Sequence, residues 1–177
     1  VGRTGAGKST VFRLLLGLYK PKEGSVKIGG VDVADIADSE RRRCIGCVEQ
    51  KFTPVPGTVL EQITLSDPII TREMAEKAAK LAGIDSAVKA LPLGYDTPCS
   101  DGMFSQGEWQ LLSIARAAAA DPAVLLLDEI TANLDAETEK YVLDALRRAS
   151  EGRTVLSISH RIYENLGGRC IEIKPLE

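Results

Sequence analysis

The chain has 177 residues, 44% of them apolar and 27% charged, and its 22 Lys and Arg against 25 Asp and Glu leave a formal net charge of −3. This length predicts one domain with a sizeable core, and the composition excludes disordered, collagen-like and coiled-coil classes. No basic excess points to nucleic acid, and the longest apolar run, residues 123–127, is far short of the roughly 20 residues that cross a bilayer.

The first predicted helix spans residues 8–18, ended by Gly17 and the Lys20-Pro21 pair. Residues 25–28 and 44–48 read as strands, and Arg41-Arg42-Arg43 before the second of them reads as a solvated face. Cys44 and Cys47 have C-x-x-C spacing, but on a strand they point to opposite faces and no second pair completes a zinc site. With Cys99 and Cys170 they read as structural cysteines of a reducing, cytosolic setting.

Between residues 53 and 98 the texture changes, with five of the eight prolines around helical stretches at 72–82 and 85–90. A helix over 108–120, stopped by Asp121-Pro122, leads back to the continuous apolar run 123–127, as expected of a strand buried on both faces. An amphipathic helix over 136–149, a strand over 154–158 and a last strand over 169–173 complete the pattern. Short apolar runs alternating with helices predict an α/β fold with a mainly parallel sheet flanked by helices. The predicted core is 1–52 with 117–177, and 53–116 is an inserted helical subdomain.

Three segments carry chemistry. Gly2-Arg3-Thr4-Gly5-Ala6-Gly7-Lys8-Ser9 fits G-x-x-x-x-G-K-[ST], the P-loop. Its glycines let the backbone wrap phosphates, and the following helix adds its positive end. Lys8 supplies a charge to the β- and γ-phosphates and Ser9 a hydroxyl to Mg²⁺, with Thr10 completing the predicted nucleotide-binding set. A P-loop requires a strand before it, of which only Val1 is present, so this reading expects a fragment of a longer polypeptide. The run 124–127 delivers Asp128 and Glu129 at its carboxyl end, Asp128 to hold Mg²⁺ and Glu129 to polarise the attacking water. These two segments say nucleoside triphosphatase. The third, Phe104-Ser105-Gln106-Gly107-Glu108-Trp109-Gln110, stands before a helix with Ser105 23 residues ahead of Asp128.

That third segment resembles the LSGGQ signature of ABC transporter ATPases, and the rest of the chain follows the same order. Gln50 resembles the Q-loop glutamine, Ala132-Asn133-Leu134-Asp135 the D-loop, and Ser159-His160-Arg161 the H-loop. Residues 55–63 and 91–97 resemble the segments that flank the Q-loop and signature in exporters, and no long coiled-coil insertion is present. The resemblance implies a P-loop NTPase core whose helical subdomain carries the signature. It also implies a Mg²⁺-dependent ATPase with ATP held between two facing domains, in a homo- or heterodimer. Lys8, Glu129, His160 and Gln50 would then be catalytic, and Ser9, Gln50 and Asp128 would serve the metal. Ser105, Gln106, Gly107 and Glu108 would meet the partner's ATP, with Asp135 at the dimer interface.

The signature departs from the family pattern in Phe104 for Leu, Gln106 for the first Gly and Glu108 for Gln. Gln106 adds a side chain beside the partner nucleotide, and Glu108 adds a negative charge. The aromatic residue that stacks on adenine in this family lies before the P-loop; Tyr19 is wrongly placed for it, and Trp109 reads as a packing residue. The favoured reading is the ATPase domain of an exporter at the cytoplasmic side of the membrane. Its transmembrane domain would belong to the same full-length chain, with no nucleic-acid partner. An importer ATPase, a soluble mechanoenzyme and a non-hydrolysing regulatory module are the alternatives.

Overall fold

The computed structural model describes residues 7–128, 130, 134–158 and 168–171. Its core is a parallel sheet of β3 (Ile45–Val48), β4 (Val124–Asp128) and β5 (Thr154–Ile158), hydrogen-bonded in that order. Val48 stands opposite Leu127 and Asp128 opposite Ile158, so all three strands end at one edge. The side chains of β4 alternate between two hydrophobic clusters, as a period of two demands. Leu126 faces Phe12 of α1 (Lys8–Leu15) together with Ile45 and Ile158. Leu125 and Leu127 belong to the larger cluster, to which α3 (Val59–Thr64), α4 (Arg72–Ala82), α5 (Asp85–Lys89), α6 (Gln106–Ala118) and α7 (Ala136–Ser150) all contribute. A short 3-10 helix, Gly94–Asp96, lies between α5 and α6.

The close approach of α6 to the sheet depends on Gly46. A Cβ there would lie 2.3 Å from the carbonyl oxygen of Ala117 and 2.8 Å from Leu125 Cδ2. The predicted boundary between residues 116 and 117 falls inside α6, whose apolar face is continuous with the core.

Several elements differ from the sequence reading. The first helix stops at Leu15 because Gly17 adopts φ +70° and the Leu18 N–H turns back to the Arg13 carbonyl at 2.8 Å. The predicted strand at 25–28 is β1 (Lys27–Ile28), half of a hairpin with β2 (Val31–Asp32). Gly29 and Gly30 have φ +58° and +87°, the left-handed pair that a two-residue hairpin turn requires. Two short helices have no counterpart in the sequence pattern. α2 (Asp38–Cys44) takes Cys44 out of the predicted strand, and α3 starts at a capping box in which Thr58 and Glu61 satisfy each other's N–H groups. Of the expected strand 169–173, residues 169–171 are irregular and the rest lies outside the described residues.

Arg41-Arg42-Arg43 is not a solvated face. Arg41 donates to the carbonyls of Leu16, at 2.9 Å, and Ile36. Arg42 donates to the carbonyls of Thr64, of Ile63 at 3.0 Å and of Arg116 at 3.2 Å, and its charge faces Asp67 at 3.6 Å. The last carbonyls of α1, α3 and α6 have no intrahelical donor, and a rigid guanidinium fork can satisfy several at once. Only Arg43 points outward, 3.9 Å from Glu40. Among the described residues no helix is long and apolar enough to cross a membrane.

Candidate nucleotide-binding site

α1 begins at Gly7, whose φ of +88° favours glycine, and no side chain caps it. Among the described residues a Cβ on Gly7 would meet nothing within 4 Å. Its first turn holds no acidic residue, and it carries half-buried Lys8 and exposed Ser9 and Thr10. The first N–H groups of a helix have no internal acceptors, and with the helix dipole they favour an anion. Gly2, Arg3, Thr4, Gly5 and Ala6 lie outside the described residues.

At the carboxyl edge of the sheet β4 delivers half-buried Asp128, and β3 leads two residues further to exposed Gln50. Burial, followed by the carboxylates of Glu49 and Asp128, pushes the Cys47 thiol up to about 12, so it stays protonated at neutral pH. Ser9, Asp128 and Gln50 are hard oxygen donors, the type that suits Mg²⁺. Among the described residues no three Asp, Glu, His or Cys side chains group to hold a metal unaided. An ion bound through a hydroxyl and one carboxylate needs further oxygens, which phosphates provide. Glu129 and His160 lie outside the described residues, as do Ala132 and Asn133 of the predicted D-loop.

The signature segment sits on the first turn of α6. Ser105 is the N-cap: its Oγ accepts the Glu108 N–H at 3.3 Å, while Glu108 Oε2 accepts the Ser105 N–H at 2.8 Å. Ser105 and Gln106 are exposed, and Gly107 is buried against α7. A Cβ on Gly107 would come within 2.3 Å of Thr138 Cγ2. Asp135 is the N-cap of α7, accepting the N–H groups of Glu137 and Thr138 and the Thr138 hydroxyl. The bonds from Thr138 hold its carboxyl below the usual range. Since Thr138 packs on Gly107, the starts of α6 and α7 lie side by side.

A second set of contacts ties α6 to the segment after β3, and the sequence reading had not singled it out. Gln110 Nε2 donates to the Gln50 carbonyl at 2.7 Å. Phe52 stacks on Trp109 with ring centroids 4.9 Å apart, and Phe104 meets Trp109 edge-on at 5.0 Å, which makes Trp109 a packing residue. The Arg116 guanidinium lies 3.9 Å above the Phe52 ring and donates to the Thr53 carbonyl at 3.0 Å. Burial, and then the charge of Arg42, lowers Arg116 to about 10, still protonated at neutral pH. The seven-residue spacing of Trp109 and Arg116 places both on one helix face, but what that face touches is not written in the spacing. Beside this contact lies a cleft of about 630 Å³ lined by Gln50, Lys51, Phe52, Asp101, Gln106 and Trp109.

Comparison with known proteins gives the family of the chain. The family model described as ABC transporter matches residues 1–132. The ABC multidrug transporter MDR2 of Trichophyton interdigitale is 43% identical over 97% of this chain and 14% of its own length. The ATP-dependent lipid A-core flippase of Chromohalobacter salexigens is 42% identical over 92% of this chain and 28% of its own. A solved structure of a bacterial Atm1-family ABC exporter with ATP bound superimposes with a TM-score of 0.75 at 37% identity, covering 92% of this chain and 29% of that one. The chain thus spans less than a third of the length of each of these relatives. The matched stretch takes in the uncapped start of α1, Gln50, the signature turn and Asp128, and the chain belongs to the ABC transporter family as an ATP-binding domain.

Proposed function

We propose that this domain binds and hydrolyses ATP to drive an ABC exporter, working as one of two facing domains at the cytoplasmic side of a membrane. The observation that carries the reading is the pair of helix starts. The start of α1 has no side-chain cap and no acid in its first turn, which suits phosphates within the domain, while the start of α6, exposed at Ser105 and Gln106, presents a second anion-seeking end outward. A second domain facing the first would set each ATP between an α1 start and an α6 start. The exporter relatives and the cleft beside Gln50, open to a coupling element of a transmembrane domain, support the same reading.

In this mechanism the P-loop residues Gly2 to Thr10 hold the phosphates, and Lys8 neutralises charge on the β- and γ-oxygens. Ser9, Asp128 and Gln50 would hold Mg²⁺, which would supply charge neutralisation on the phosphate oxygens. Glu129 orients the attacking water and accepts its proton, a role typically worth about 10²–10⁴-fold. His160 contacts the γ-phosphate, and Ser105 with the Gly107 N–H stabilises the partner's transferring group. Loss of the γ-phosphate removes the charge that holds the two halves together.

The test is Glu129→Gln in the full-length protein. Retained ATP binding, turnover reduced by at least about 10²-fold and a persistent ATP-dependent dimer are expected. Turnover at the wild-type rate overturns the assignment.

A further inference from the structure

We propose that Gln110 is a positioning residue: it fixes the Gln50 backbone to the signature helix, so that the metal-facing glutamine and the α6 start move as one body. The proposal rests on the role given to Gln50 above. Three contacts make the joint. The 4% exposed Gln110 side chain reaches the Gln50 carbonyl at 2.7 Å. Two residues on, Phe52 is held between the Trp109 ring and the Arg116 guanidinium. Arg116 then fastens the next carbonyl, that of Thr53, at 3.0 Å. Main chain is thereby gripped at residues 50 and 53 and side chain at 52, all by α6, while the Gln50 side chain stays exposed at the sheet edge.

The energetics separate this role from a merely structural one. Gln110 Oε1 is buried with no hydrogen-bond partner among the described residues, so half of the amide is desolvated without return. The Gln50 carbonyl belongs to an exposed residue and can turn to water once released. A methionine of similar length should therefore fold at least as well as Gln110, which leaves the grip on Gln50 as the reason for an amide here.

The experiment measures ATPase kinetics and thermal unfolding of the full-length protein with Gln110→Met, Gln50→Ala and both, and with Gln110→Leu as a second apolar replacement. Expected are a melting temperature no lower than wild type in at least one apolar variant, KM for ATP within about twofold, and kcat reduced about tenfold, less than the ~10²-fold that a 1 Å misplacement can cost. Because Gln110 acts through Gln50, the double variant should be no slower than Gln50→Ala alone. Wild-type kcat in the apolar variants, losses that multiply in the double variant, or both apolar variants melting lower overturns the proposal. A wild type without ATPase activity, or a silent Gln50→Ala, sinks the role of Gln50 and this inference together. An impaired Gln50→Ala beside a normal Gln110→Met sinks the positioning role alone.

Discussion

Two helix starts in this domain, those of α1 and α6, are built in opposite ways. α1 opens on a left-handed glycine with no side-chain cap and no acid in its first turn, and Phe12 is its one buried residue. α6 opens on a complete capping box, carries Glu108 in its first turn and buries eight residues. A short helix with one buried residue gains little from its own contacts, and a start without a side-chain cap or an acid favours an anion. A capped, well-buried helix is stable without a ligand, but two of its N–H groups are already committed. The first arrangement suits tight binding of phosphates within the domain. The second suits a weaker, reversible contact made when a partner arrives.

Three single substitutions, one of them paired with a rescuing fourth, would break or sharpen that contrast. Lys8→Ala removes the cation at the α1 start and should lower ATP hydrolysis on the order of 10²-fold, read by phosphate release from the full-length protein. Unchanged hydrolysis would mean that the α1 start is not where the phosphates sit. Gly107→Ala tests the packing of the capped start. Its methyl would press on Thr138 Cγ2 at 2.3 Å and should cost about 1–3 kcal/mol, seen as a lower denaturation midpoint. Adding Thr138→Ser should recover most of the loss, because serine lacks that methyl yet keeps the hydroxyl that donates to Asp135 at 2.6 Å. The smallest effect belongs to Glu108→Gln. Glutamine also completes a capping box, while the negative charge beside the incoming phosphate disappears. ATP-driven association should tighten by roughly two- to fivefold at low salt, in keeping with the ~0.3–1 kcal/mol typical of a charge at a helix end. Weaker association in that variant would show that the carboxylate helps the contact.

What could be read in advance followed local rules. α4 was legible to the residue because Thr71 caps its start and Gly83 ends it, and β5 because Gly152 precedes a short apolar run. α6 starts two residues ahead of the helix expected from 108, at the S-x-x-E capping-box signal that Ser105 and Glu108 form. The arginines of α2 show the limit. Charge in a row suggests a wet surface, whereas Arg41 and Arg42 serve carbonyls on helices distant in sequence. Of the candidate site, Lys8, Ser9, Gln50, Ser105, Asp128 and Asp135 could be placed by motif. Neither Phe52 nor Gln110 could, because an aromatic in a loop and an amide in a helix do not declare their partners.

The sequence by itself determined the class of fold and the chemistry of its ligand. Glycine spacing, a run of β4 apolar residues and the carboxylate after it are local patterns that only a few structures can use. Only the tertiary structure decided how the far end of β3 meets α6: Gln50 and Gln110 are 60 residues apart, yet they share a hydrogen bond. Such a contact depends on where helix and sheet come to rest after the core has packed, and a close approach like that of Gly46 to Ala117 sets that resting place.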